Sequence, residues 1–331
     1  MRAPGFWNRP PDDPGLWPRL LTPIGALYAN ATARRLRTGA RAKMPVPIIC
    51  VGNLNAGGVG KTPTVIWVVD QLRGLFLTPH VVSRGYGGSQ VDPLLVDPNR
   101  HNAARVGDEP LLLSAFADVW VSKDRRAGIE TAIKAGAQAI VLDDGFQHAA
   151  IAYDASIVVV DAEVGFGNAR CIPAGPLREP VDVGLSRADA ILSIGPDQAQ
   201  SQFRATYALP TALPHATGTL NPLQTGMDWA GMRALAFAGI GRPDKFFHTL
   251  KDLGATLVRA EALGDHERLS PALLTRLETE ARAKRAQLVT TEKDAARLPP
   301  SFRGKVITLP VRLSLPDDNP LTPLLKQAIE G

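Results

Sequence analysis

Between an apolar run at residues 48–51 and a helix-forming stretch that starts at Lys61 lies Gly52-Asn53-Leu54-Asn55-Ala56-Gly57-Gly58-Val59-Gly60-Lys61-Thr62-Pro63. No other segment restricts the fold as strongly. A Gly-rich turn between a strand and a helix matches the phosphate-binding pattern of Gly, four residues, then Gly-Lys-Ser/Thr. Gly60, Lys61 and Thr62 fit; the first Gly is replaced by Asn55, a residue that tolerates positive φ better than most. The loop Asn55, Ala56, Gly57, Gly58, Val59, Gly60 is expected to turn its N–H groups around phosphate oxygens, aided by the positive end of the following helix. Lys61 would neutralise the β- and γ-phosphates of a nucleotide, and the Thr62 hydroxyl would ligate Mg²⁺. Pro63, in the first helical turn, forfeits no intrahelical bond.

Apolar runs at 80–83, 119–122, 139–142, 157–160 and 190–194 alternate with helical stretches, as in a parallel sheet buried on both faces. Residues 196–230, rich in Pro, Thr, Gln and Gly, read as a connection. A second alternation follows, with strands at 234–238, 256–258, 288–290 and 306–309 and helices near 243–253 and 271–284. The expected organisation is α/β throughout: an N-terminal segment 1–43, a P-loop NTPase-like parallel-sheet domain with linker 44–228, and a smaller α/β domain 229–331. Cys50 and Cys171 are the only cysteines, which excludes a disulfide scaffold and any CxxC metal or redox motif.

The net charge is +5, yet residues 1–45 hold eight basic residues against Asp12 and Asp13, a net of +6 that leaves −1 for the rest. A nucleic-acid binder would spread such charge over a folded face. In the same segment Leu16, Trp17, Leu20, Leu21, Ile24, Leu27, Tyr28 and Ala31 fall on one helical face, followed by Arg34, Arg35 and Arg37. Pro18, Arg19, Pro23 and Asn30 interrupt any membrane-spanning run. The pattern is that of an amphipathic helix lying on an anionic lipid surface.

Two strands end in carboxylates suited to a metal. Residues 139–142 lead into Asp143-Asp144-Gly145-Phe146-Gln147-His148, and residues 157–160 lead into Asp161. Both have the right form; Asp143 is favoured because the double Asp, Gln147 and His148 give more polar groups around hydrated Mg²⁺. A base for an alcohol acceptor is sought at Asp108 and Glu109, ahead of an apolar helix, and at His266 in Gly264-Asp265-His266-Glu267. Arg178, in the rigid loop Gly175-Pro176-Leu177-Arg178-Glu179-Pro180, and the cluster Lys123, Arg125 and Arg126 could meet phosphates of an anionic acceptor.

Together these segments resemble the tetraacyldisaccharide 4'-kinase family, ATP-dependent kinases of lipid A biosynthesis. The resemblance runs in order through the Asn-containing loop, Ser83-Arg84-Gly85-Tyr86-Gly87, Gly107-Asp108-Glu109-Pro110, the Asp-Asp-Gly-Phe-Gln-His run, Pro173 to Glu179, Gly239-Ile240-Gly241-Arg242-Pro243, Asp265-His266 and Thr291-Glu292-Lys293-Asp294. It implies ATP and Mg²⁺ between two α/β units and phosphate transfer to the 4'-hydroxyl of a tetraacylated disaccharide 1-phosphate. The product would be lipid IVA. It also implies Asp108 and His266 as the catalytic base pair with Lys61 on the phosphates, and Asp143 with Thr62 on the metal. Arg178, Glu109, Gln147 and His148 are expected toward the substrate. The partners implied are the acylated disaccharide lipid and the cytoplasmic face of the inner membrane, where the protein would be peripheral or monotopic, with no nucleic acid and no obligate protein partner. A partitioning-type ATPase switch is the rival, but its second Lys before Gly-Gly is Ala56 here. The Asn-Lys-x-Asp reader of GTPases is absent.

Overall fold

The computed structural model describes residues 4–38, 41–264 and 267–330. Its strands are β1 (Ile48–Gly52), β2 (Pro79–Ser83), β3 (Leu94–Leu95), β4 (Asp118–Val121), β5 (Ala139–Asp143), β6 (Ala155–Asp161), β7 (Ala190–Ile194), β8 (His215–Pro222), β9 (Arg233–Ala238), β10 (Thr256–Ala262), β11 (Gln287–Thr291), β12 (Val306–Leu309) and β13 (Val311–Ser314). The helices are α1 (Leu16–Thr38), α2 (Lys61–Gly74), α3 (Ala103–Val106), α4 (Asp108–Leu113), α5 (Arg125–Lys134), α6 (Val181–Leu185), α7 (Asp197–Thr206), α8 (Pro243–Asp252), α9 (Pro271–Ala283), α10 (Glu292–Arg297), α11 (Pro300–Arg303) and α12 (Leu321–Glu330).

Two sheets organise these elements. One has nine strands in the order β13-β8-β7-β6-β1-β5-β2-β4-β3; the other has four, β10-β9-β11-β12. In the large sheet β1 lies centrally between β5 and β6, parallel to both. The strands β1, β2, β5, β6 and β7 are buried at every residue, which is why each reads in sequence as a continuous apolar run rather than an alternation. Antiparallel β3 and β13 close the edges.

Two expectations need correction. Residues 196–230 are more than a connection, because α7 buries Gln200 and Phe203 and β8 pairs with β7. The strand escapes pattern reading because its inward positions are Ala216 and Gly218, small residues that give no apolar signal. Nor does everything after residue 229 belong with the small sheet. Val311–Ser314 pairs with β8, and Leu321, Leu325 and Ala328 of α12 join the large sheet's core. Their helical spacing announces an amphipathic helix, not the sheet it covers.

Helix α1 is mounted with its apolar stripe outward. Leu16, Trp17, Leu20, Ile24, Leu27 and Tyr28 are exposed, Leu27 at 70%. The packed face is the one with small and polar residues, where Pro18, Gly25, Thr32 and Leu36 are buried. At Gly25 a Cβ would lie 2.8 Å from the Cys171 carbonyl oxygen, so only Gly permits the close seat. Arg170 Nη1 donates to Thr22 Oγ1 at 2.8 Å, and Trp7 Nε1 donates to the Pro173 carbonyl at 3.1 Å. A contiguous exposed apolar stripe on a firmly held helix marks an interaction surface.

Candidate active site

The site gathers at the C-terminal ends of β1, β5 and β2, where α2 begins. Gly60 sits at φ +95°, a conformation costly for other residues, and a Cβ there would meet Ile194 Cδ1 at 2.7 Å. The backbone thereby swings into α2 and leaves the Lys61 side chain buried beneath the loop. Asn53 fixes the loop from within: its Nδ2 donates to the Asn55 carbonyl at 2.7 Å, and its Oδ1 accepts from Lys61 Nζ at 3.3 Å. From outside, Ala56 N donates to the Pro176 carbonyl at 2.7 Å and Arg178 N donates to the Leu54 carbonyl at 2.7 Å. The tip is open, since a Cβ added at Gly57 or Gly58 would meet nothing within 4 Å.

Asn55 earns its position differently from the sequence expectation. It is not among the positive-φ residues. Its side chain instead donates to the Gly165 carbonyl at 2.9 Å, and its backbone bridges Leu177. The side chain anchors the loop, a task no Gly could perform.

Asp143 ends β5 fully buried. Its Oδ2 accepts from Ser83 Oγ at 3.0 Å, while Oδ1 is buried without a hydrogen-bond partner among the described residues. Burial pushes its carboxyl up to about 7, reinforced by the nearby Glu109 and Asp144 charges and relieved by Lys61 and Ser83. Asp144 follows in the left-handed region at φ +54°, which turns its carboxylate toward Lys61 Nζ (3.7 Å) and Arg178 Nη1 (2.9 Å). Although burial opposes ionisation, Lys61 and Arg178 hold this carboxyl below the ordinary range. The buried Arg125 donates from Nη2 to the Asp144 carbonyl at 2.5 Å, whereas Arg126 faces outward and pairs with Glu130. Of the basic cluster at 123–126, Arg125 is the member tied to the site's carboxylate turn.

Asp161, the other strand-end acid, is taken up elsewhere. Its carboxylate accepts from Arg242 Nη1 at 3.1 Å and Lys245 Nζ at 2.9 Å, and Glu163 joins the same pair.

Asp108 opens α4 and lies 3.4 Å from Arg297 Nε; Glu109 pairs with Lys293 at 3.3 Å. Both cations come from α10 beside the small sheet. Gln147 bridges elements: its Nε2 donates to the Asn53 carbonyl at 2.8 Å and Glu179 Oε1 at 3.0 Å, and its Oε1 accepts from Arg178 at 3.1 Å. That network braces the loop and directs Arg178. His148 Nδ1 is buried without a hydrogen-bond partner, and burial with the Arg125 charge lowers the ring's pKa. His266 lies outside the described residues. Thr62 is half-buried in the first turn of α2.

Sequence reasoning passed over Asn53 and Ser83 as functional residues. The available signal was positional, since each stands at or just past the end of a fully buried strand. The assembly of a cationic Lys61, an open Gly-Gly tip and a buried carboxylate with a spare oxygen suits a polyphosphate with a divalent cation.

Comparison with known proteins gives a consistent answer. A model of the tetraacyldisaccharide-1-P 4'-kinase family matches residues 17–330. The tetraacyldisaccharide 4'-kinase of Dinoroseobacter shibae is 59% identical, over 98% of this chain and 97% of its own. That of Jannaschia sp. is 57% identical, over 97% of each chain. A crystal structure of LpxK from Aquifex aeolicus in complex with ATP matches with a TM-score of 0.75 at 26% identity, covering 95% of this chain and all of that one. Match length and identity leave one conclusion: the chain belongs to the tetraacyldisaccharide-1-P 4'-kinase family.

Proposed function

We propose that this chain transfers the γ-phosphate of ATP to the 4'-hydroxyl of a tetraacyldisaccharide 1-phosphate, giving lipid IVA. The observation that carries the reading is Lys61 beneath an open Gly57-Gly58 tip, together with a buried Asp143 oxygen that has no donor among the described residues. Asp108, assisted by His266, accepts the hydroxyl proton as the oxygen attacks in line. Lys61 and the loop N–H groups hold charge on the transferring phosphoryl oxygens, so positioning and electrostatics supply most of the acceleration. Thr62 and Asp143 would hold Mg²⁺, which supplies charge neutralisation on the phosphates when bound. Arg178, Glu109, Gln147 and His148 line the acceptor side, with Arg178 oriented by Asp144 and Gln147.

The acceptor's acyl chains keep it in a bilayer, and α1 suits that location. Each large apolar side chain on its outer face gains about 1.5–3 kcal/mol on leaving water, and Arg34, Arg35 and Arg37 favour anionic headgroups. Among the described residues no helix is long and apolar enough to cross a membrane. The exposed stripe and the arginines of α1 suit a place on a bilayer surface, which the family resemblance puts at the cytoplasmic face of the inner membrane.

Incubation with γ-labelled ATP and the disaccharide lipid tests the reaction. Label in the lipid is expected, with turnover reduced about 10²–10⁴-fold in Asp108→Ala. Release of labelled phosphate with no lipid labelling would select the ATPase switch instead. For the surface reading, Leu20→Asp with Leu27→Asp should cut partitioning onto anionic vesicles at least tenfold or so; unchanged partitioning would remove it.

A further inference from the structure

Two motif segments, residues 239–243 and 291–294, belong to the small sheet's unit and not to the sheet that carries the phosphate loop and the carboxylate turn. One side chain joins them to Asp108. Arg297, the last residue of α10, has a side chain only 6% exposed and faces three elements at once. Its Nη2 pairs with Asp294, and its Nη1 donates to the Glu267 carbonyl at 2.9 Å. Its Nε is buried with no hydrogen-bond partner among the described residues and forms an ion pair with Asp108 Oδ2 at 3.4 Å.

The connection continues past Asp294. That carboxylate is fully buried and accepts from Gly239 N at 3.0 Å and from Thr291 Oγ1 at 2.7 Å. Gly239 begins the turn that carries Gly241 against the phosphate loop, where a Cβ on Gly241 would sit 3.7 Å from Gly58 N. A continuous set of contacts therefore runs from the loop tip through the 239–241 turn, Asp294 and Arg297 to the carboxylate that opens α4. The neighbouring pair Lys293–Glu109 spans the same boundary but is more exposed. A guanidinium suits the role because its planar fork can serve three partners in fixed directions, whereas an ammonium acts as a point charge.

We infer that Arg297 is a positioning residue for phosphate transfer. It orients Asp108 from the opposite unit, so the base is aligned only while the 239–241 turn is seated on the phosphate loop. The inference rests on reading Asp108 as the proton acceptor. It predicts a turnover defect without a nucleotide-binding defect, because Arg297 is linked to the loop but contributes no group to its open tip.

The test is a double-mutant cycle on the full chain, with Arg297→Lys and Arg297→Ala made in the native background and in Asp108→Asn. Alone, Arg297→Ala should lower kcat about 10²-fold and Arg297→Lys about tenfold, with KM for ATP within about twofold, as expected when a reacting group is misplaced. In the Asp108→Asn background either change should alter the residual rate by less than about twofold, since Arg297 acts through the missing carboxylate. Full kcat in Arg297→Lys, or losses that multiply with Asp108→Asn, would overturn the inference. If Arg297→Ala fails to fold because Asp294 is left buried without its cation, the Lys variant in both backgrounds decides. Full turnover of Asp108→Asn alone would remove the proton-acceptor reading, and Arg297's role with it. A normal Arg297→Lys beside a defective Asp108→Asn would remove Arg297's role only.

Discussion

Strands β5 and β6 flank β1, run parallel to it, are buried throughout, and each ends in an aspartate. Their fates diverge. Among the described residues Asp143 meets a single hydrogen-bond donor, Ser83, and keeps a buried oxygen without a partner. Asp161 is saturated by Arg242 and Lys245, which reach it from the start of α8 in the small sheet's unit. The same local pattern therefore yields a carboxylate with a spare buried oxygen on one side of the Gly-rich loop and a cross-unit clasp on the other. What separates them is the cations that remote sequence delivers, a property that neither strand carries itself.

Exchanging charge for amide at each position sharpens this contrast. Asp143→Asn keeps the shape but removes the charge that a metal would need, and turnover should fall on the order of 10²–10³-fold. Loss below tenfold would mean that Asp143 is not the metal carboxylate. Asp161→Asn should cost far less, within about tenfold in turnover, because Glu163 still holds Arg242 and Lys245. Partly exposed ion pairs of this kind contribute roughly 0–1 kcal/mol each. The effect should show as a melting temperature lowered by a few degrees in low salt and less in high salt. A salt-insensitive change would contradict the clasp.

The smallest of these effects is a pH dependence carried by Asp143. Burial raises the Asp143 carboxyl to about 7, so the folded chain binds that proton more tightly than the unfolded chain. Its stabilising contribution is complete below the ordinary carboxylate pKa and is lost as pH climbs through about 7. Metal-free protein should therefore melt at progressively lower temperature across that window. Asp143→Asn should flatten the profile. A profile unaffected by Asp143→Asn would show that its proton is not held in this way.

Much of the large sheet was legible because buried parallel strands are written as unbroken apolar runs, and the loop from Gly52 to Pro63 names its own flanking elements. The helical stripe of α1 was equally plain. What could not be read was pairing at a distance. Nothing local says that Val311–Ser314 returns to β8, that Arg242 closes on Asp161, or that Arg297 reaches Asp108. β8 was hidden for another reason, since Ala216 and Gly218 bury backbone rather than bulk. At Asn55 the residue type was noticed but its task was misread, because φ tolerance is a property of the residue and the bond to Gly165 is a property of the fold. The Gly-rich loop and the strand-end acid proposed for the metal can thus be picked out in sequence, while the residues that brace them require three dimensions.

The account depends most on the loop ahead of Lys61 being a triphosphate seat. Equilibrium binding of labelled ATP in the presence of Mg²⁺, compared between the native chain and Lys61→Ala, tests this directly. Saturable binding that weakens at least about tenfold in Lys61→Ala, equivalent to ~1.4 kcal/mol, is the predicted result. No binding by the native chain, or equal binding by both, would contradict it.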